Sequence, residues 1–451
     1  MKKNYIQYTT IITVSVVAIM TLLSLVAPTS YFKQINIYSS IISDSSIRSI
    51  FGLESAPLNE NMVVMDTLEN SSKSDTTNIQ IEEKEHVNPF LFEDYSQNKS
   101  QSKIIANMLT GGDNRLSRIA YIGDSFIEGD ILTMDVREYL QSKFGGGGVG
   151  YIPIVSPVAK YRGTIIHSFS DNWKTHSILA PTSGVNYGLA AQAFSSKDGD
   201  SWVEFKGKGY RPHAAKINRV SLFFINRGGG TIEVAVNDQE SKIYTPSISD
   251  SLQSIVVNQS ISQIKYRFID CQDMLLYGAY FDDASGGILL DNYSLRGSSG
   301  VEMSSVSRAF CHQFNQKIEY NTIFVQYGLN VSGYTSSQLE LYGENMSKVV
   351  QHLKSCYPQA AIVMMGVSDR GELNAGQVIT MQSVLTLDRV QRKVAKDCGV
   401  LFWSTHSAMQ KMGGVAQFVE NKWISKDYTH LNAAGGEALA EKIVFAMESC
   451  L

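Results

Sequence analysis

Behind Lys2 and Lys3, the chain runs from Thr9 to Ala27 without a charge and without a polar face. About 19 residues at a rise of 1.5 Å reach roughly 28 Å, close to the hydrocarbon thickness of a bilayer. The pattern predicts that residues 1–30 enter a membrane as a retained anchor. A cleaved signal peptide is the competing reading, although its apolar core would span about 7–15 residues. Positive charge ahead of the helix keeps the terminus in the cytoplasm and sends the rest across. From 31 to 101 the chain is rich in Ser, Asn, Asp and Glu, with short apolar patches and no sustained period, so it reads as a polar spacer.

Regular patterning begins beyond that spacer. Arg118 to Gly123 is a short apolar strand followed by a helical pattern from Ile131 to Phe144, the first part of an α/β unit over 102–160. Residues 161–286 change character. Runs such as SWVEFKG, NRVSLFFI and TIEVAV alternate between apolar and polar positions and are separated by Gly, Asn, Asp and Ser, which predicts an inserted antiparallel β-sandwich. Strands then alternate with helices over 287–451. The helices are expected near Ser336–Cys356, Met381–Lys396 and Ala433–Met447. Such alternation implies a parallel sheet covered on both faces, so the fold class is α/β, with its sheet interrupted by the β-rich insertion.

Composition narrows the function. Of 451 residues 43% are hydrophobic and 18% charged, enough apolar surface for a folded interior. A formal net charge of -4 argues against a general nucleic-acid binder. Five cysteines without a CxxC and eight histidines without HxH or HExxH spacing suggest neither a disulfide scaffold nor a metal site. The glycines Gly145, Gly147 and Gly150 match GxGxxG but follow a helix, the wrong context for a dinucleotide, and no cofactor is implied.

Four segments carry candidate chemistry. Gly123-Asp124-Ser125 falls where a buried strand ends, the place where open α/β sheets keep their sites. A serine there can expose its hydroxyl with a free backbone N–H near a helix start, or simply cap the helix. In Asp427-Tyr428-Thr429-His430 a carboxylate three residues before a histidine can hold the ring's tautomer and leave the other nitrogen to take a proton. Gly297 in DNYSLRGSSG allows close approach to a backbone N–H, and Asn330 in VQYGLN offers an uncharged donor. With the N–H of Ser125 these would make an oxyanion hole of up to three donors. Taken singly, His430 could be structural, Gly297 a turn residue and Asn330 a cap. Asp130 could cap the first helix and Glu128 is expected in solvent. The aromatics Trp173, Tyr187, Trp202, Tyr210 and Tyr266 could stack on sugars or fill the core of the insertion.

Ser125, Gly297, Asn330 and the Asp427–His430 pair occur in the order of the four blocks of the SGNH or GDSL hydrolases, and the chain resembles that superfamily over about 104–150 and 287–451. The resemblance implies a three-layer α/β/α domain with Ser125, Asp427 and His430 as catalytic triad. It also implies an oxyanion hole of Ser125, Gly297 and Asn330. Val331 departs from the pattern, where many members carry aspartate. GDSFIEGD, GGGGVGYIP and the β-rich insertion are similar to the peptidoglycan O-acetylesterase branch, whose insertion is carbohydrate-binding-like. The expected function is an extracytoplasmic serine esterase, at the outer face of the inner membrane, removing acetyl groups from envelope glycan, with peptidoglycan the leading substrate. Acetyl transfer to another sugar, another acetylated polysaccharide and a non-catalytic glycan-binding protein are the alternatives. Oligomeric state is open.

Overall fold

A computed structural model describes residues 88–111 and 115–451. The stretch Thr9–Ala27 and most of the spacer lie outside the described residues. Among those described, no helix is long and apolar enough to cross a membrane.

The chain enters the fold through β1 (Glu93–Asp94) and α1 (Ser100–Thr110), followed by β2 (Leu116–Gly123) and α2 (Thr133–Phe144). Next come β3 (Gly150–Ile152), β4 (Ile165–Phe169), β5 (Trp173–Ser177), β6 (Gln192–Ser196), β7 (Ser201–Gly207) and β8 (Arg219–Asn226). The β-rich stretch continues with β9 (Thr231–Val236), β10 (Lys242–Tyr244), β11 (Ser249–Asn258), β12 (Gln263–Ile269) and β13 (Met274–Asp282). Then follow β14 (Gly287–Ser294), α3 (Arg308–Asn315), β15 (Thr322–Gln326), α4 (Ser336–Cys356) and β16 (Ala361–Met365). A hairpin of β17 (Gly371–Asn374) and β18 (Gln377–Thr380) precedes α5 (Gln382–Cys398) and β19 (Leu401–Trp403). The chain ends with α6 (Thr405–Lys411), α7 (Gly414–Glu420) and α8 (Ala433–Glu448).

One sheet has the order β1-β19-β16-β15-β2-β14. All neighbours are parallel except β1, which runs antiparallel to β19. Both sheet faces must be covered when strands are this apolar, and β15, β16 and β19 are buried along their whole lengths. The chain leaves β2 toward β14 on one side, then returns through β15 to β16 and β19 on the other. Right-handed crossovers therefore put helices on opposite faces. The helices do pack in two groups, α4 with α5, and α8 with α2 and α1. Helix α4 begins with a capping box in which Thr335 accepts from the N–H of Gln338 and Gln338 accepts from that of Thr335.

The β-rich stretch makes two antiparallel sheets, one ordered β10-β9-β12-β7-β4 and one ordered β11-β8-β13-β6-β5, with β3 also on β13. Strand β13 is buried on both faces. Its Leu276, Ala279 and Phe281 share an apolar cluster with Val203, Phe205 and Phe268 of the other sheet. Its Tyr277 packs instead on Phe310 of α3, with ring centroids 4.6 Å apart. A register shift between Leu276 and Ala279 accompanies this double duty.

Two expected boundaries move. Sheet pairing starts at Gly150, ahead of residue 161, because β3 reaches forward to β13. The spacer ends before Glu93 rather than at 101, since β1 pairs with β19. The described residues form one compact unit, in keeping with a β13 that faces both parts.

Candidate active site

The carboxyl ends of β14, β2 and β15 lie level, with Ser294, Gly123 and Gln326 as cross-strand partners. Ser125, Gly297 and Asn330 each follow within a few residues, so three loops leave the sheet together. The strand order reverses between β2 and β15, which opens a crevice beside β2. Close packing holds the nucleophile loop there: a Cβ on Gly123 would stand 2.7 Å from the Gln326 carbonyl oxygen.

Ser125 opens a 3-10 turn, Ser125–Asp130, and the helix follows only at Thr133. Asp124, not Ser125, caps that turn by accepting from the N–H of Phe126 at 2.9 Å. The serine is thereby left to face the fourth loop, and its Oγ lies 2.9 Å from His430 Nε2. His430 Nδ1 lies 2.6 Å from Asp427 Oδ2. A carboxylate can only accept, so Nδ1 donates to it and Nε2 is left to accept from the serine hydroxyl. The other carboxylate oxygen of Asp427 accepts from the N–H groups of Thr429 and His430 at 3.0 and 3.1 Å. Burial raises the cost of ionising Asp427, yet these hydrogen bonds from His430 and Thr429 lower its pKa on balance. The loop is anchored to the body by Gly371 N–H, which donates to Tyr428 O at 2.8 Å.

The amide of Asn330 donates to Ser298 O at 2.9 Å and stands 3.4 Å from Asp124 Oδ2. That brings Asn330 beside the Gly123–Ser125 turn and the Gly297 loop. Gly297 has φ +79°, a region that favours glycine, and the space beside it is open. The N–H groups of Ser125 and Gly297 have no hydrogen-bond partner among the described residues. Val331 is buried, where its methyl groups belong to the apolar core.

Three residues behave otherwise than the sequence suggests. Glu128 is buried rather than solvated, and its carboxylate pairs with Arg296. Asp130 caps nothing; it is fully buried and takes both of its 2.9 Å bonds from Arg137. Burial opposes its ionisation, but the charges of Arg137 and Arg162 hold its pKa down at about 2. Asp124, quoted only as a motif letter, is buried too, and burial pushes its pKa up to about 6 against the hydrogen bond from Phe126. The patterns that would reveal such roles are long-range pairings, which local spacing does not carry. Of the aromatics, Trp173, Tyr187 and Tyr266 are buried and Tyr210 is exposed.

Among the described residues no cluster of three or more His, Cys, Asp or Glu side chains is placed to hold a metal ion. All five cysteines are free thiols.

A carboxylate, an imidazole and a hydroxyl in hydrogen-bonded series at the rim of an open α/β sheet define an arrangement able to draw a proton from a serine. Neither a family model nor a curated protein matches the sequence. Solved structures do. The chain is similar to a peptidoglycan O-acetylesterase, with 18% identity and a TM-score of 0.63 over 79% of this chain and 98% of that one. It also aligns with an acetyl xylan esterase at 14% identity and TM-score 0.26, over 35% of this chain and 81% of that one. A family two carbohydrate esterase from Cellvibrio japonicus aligns at 8% identity and TM-score 0.26, over 63% of this chain and 98% of that one. The last two scores add nothing to the fold argument. The fold is the one seen in the first of these structures.

Proposed function

We propose that the protein is a serine O-acetylesterase acting on acetylated envelope glycan, with peptidoglycan as substrate. The observation that carries this reading is the Asp427–His430–Ser125 series at 2.6 and 2.9 Å. His430 takes the hydroxyl proton as Ser125 Oγ bonds to the acetyl carbonyl carbon. The negative oxygen is received by the N–H groups of Ser125 and Gly297 and by the Asn330 amide. The bond to the sugar oxygen breaks, the sugar leaves as an alcohol with the proton from His430, and acetyl-serine remains. Water then gives a proton to His430 and its oxygen to the acetyl carbon, and acetate departs as the proton returns to Ser125. The likeness in fold to a peptidoglycan O-acetylesterase supports the substrate class. An extracytoplasmic location is supported by the uncharged run Thr9–Ala27.

Acetate release from O-acetylated peptidoglycan by the full chain tests the reading, with Ser125→Ala alongside. Release that vanishes in the variant is expected. Cleavage of a small aryl acetate without release from peptidoglycan would keep the serine esterase and reject this substrate. Release that persists in Ser125→Ala would reject the nucleophile.

A further inference from the structure

A cavity of about 230 Å³ begins at Glu128 and Gly129, in the same turn as Ser125, and at Arg296, next to Gly297. Its far wall is Arg162 and His167, which also line a second hollow of about 550 Å³ along β4. The two share Ser156, Pro157 and Ala159 as well, so one groove leads from the candidate active site onto the β-rich part.

The charge of this groove is one-sided. Arg162, Arg296, Lys160 and Lys208 line it, against the single carboxylate of Glu128. Burial drives the pKa of His167 down to about 4, so that ring is neutral at pH 7. Beneath the wall, Asp130 is the only carboxylate among the described residues that is hydrogen-bonded or ion-paired to Arg162, at 3.3 Å, and it also serves Arg137. One negative charge is thus divided between two buried guanidiniums, and Arg162 Nε has no hydrogen-bond partner among the described residues. Arg296 is held by Glu128 while its side chain stays 63% exposed. A guanidinium has five N–H donors in a planar fork, so binding one carboxylate leaves an edge for another. A net positive groove on a chain of formal charge -4 is not a generic surface property.

We infer that this groove is a glycan subsite selective for a carboxylate borne by the acetylated sugar chain, with Arg296 and Arg162 as its cationic contacts. The inference rests on the esterase reading for its substrate class and extends it to the substrate's charge. A lactyl ether carboxyl and a uronate present the same chemistry.

The test is binding without turnover. The full chain carrying Ser125→Ala is titrated calorimetrically with neutral chitotetraose, with a tetrasaccharide of alternating N-acetylglucosamine and N-acetylmuramic acid, and with tetragalacturonate. At least one acidic glycan should bind about tenfold or more tighter than chitotetraose, with an advantage that shrinks as salt rises. Adding Arg296→Gln should cut that advantage severalfold, while Arg296→Lys, which keeps the charge without the fork, should retain part of it. The better acidic ligand identifies the source of the carboxylate. Equal affinity for neutral and acidic glycans, no binding of any of the three, or an advantage undiminished by Arg296→Gln would overturn the inference. Failure of the esterase reading appears separately, as absent acetate release from the unmutated chain.

Discussion

Asn330 Nδ2 donates to the carbonyl oxygen of Ser298 at 2.9 Å and so ties the loop after β15 to the loop after β14. The second amide hydrogen makes the longer bond, 3.4 Å to Asp124 Oδ2, and is the one that can turn to a negative oxygen forming at Ser125. Asn330→Ala should lower kcat on an aryl acetate by about 10²- to 10³-fold, as removal of one such donor does elsewhere. KM should change far less, because the charge develops only in the transition state. A kcat within twofold of the unmutated protein would remove Asn330 from the oxyanion hole.

Asp427 binds the His430 ring through one oxygen and two backbone N–H groups through the other. In Asp427→Asn the side-chain amide can donate to Nδ1, which favours the tautomer whose Nε2 carries the proton and cannot accept from Ser125. The expected loss in kcat is about 10²- to 10⁴-fold. The Asp427 side chain is half exposed, so the thermal midpoint should hardly move. Stopped activity together with an unchanged melting curve is the signature; a normal rate would refute the orienting role.

Asp124 gives a pH-dependent prediction for stability. Its folded pKa, raised by burial, is about 6 against an ordinary 3.8. As pH falls, the folded protein takes up this proton before the unfolded chain does. The favourable contribution is therefore fully present below about pH 3.8 and is lost as pH rises toward 6. At about 1.4 kcal/mol per pKa unit, the cost of keeping Asp124 ionised at pH 7 is on the order of 3 kcal/mol. Urea denaturation of Asp124→Asn and the unmutated chain at pH 4 and pH 7 checks this. The stability of the variant relative to the parent should rise between the two pH values; a difference that is flat with pH would contradict the ionised, buried carboxyl. Asp135 and Asp388, both also raised to about 6, are present in both proteins and cancel.

What local sequence determines is visible in the pieces that obey a single period. The 21 residues of α4 begin and end where apolar spacing and Thr335 dictate, and β2, β15, β16 and β19 are short apolar runs whichever neighbours they find. The residues of the candidate site were legible for a related reason: Ser125, Gly297, Asn330, Asp427 and His430 each sit in a short motif at an element's end. Their meeting was not. The 2.9 Å approach of Ser125 to His430 joins positions 305 residues apart, and it exists because β14, β2 and β15 align their carboxyl ends while Gly371 fastens the last loop to the body. Burial of Glu128 and Asp130, the pairing of β1 with β19 and the reach of β3 to β13 were likewise decided by tertiary structure. Periodicity reports which face of an element avoids water; it carries no information about which distant charge or strand edge will cover a polar group, and that choice is made only when the whole sheet closes.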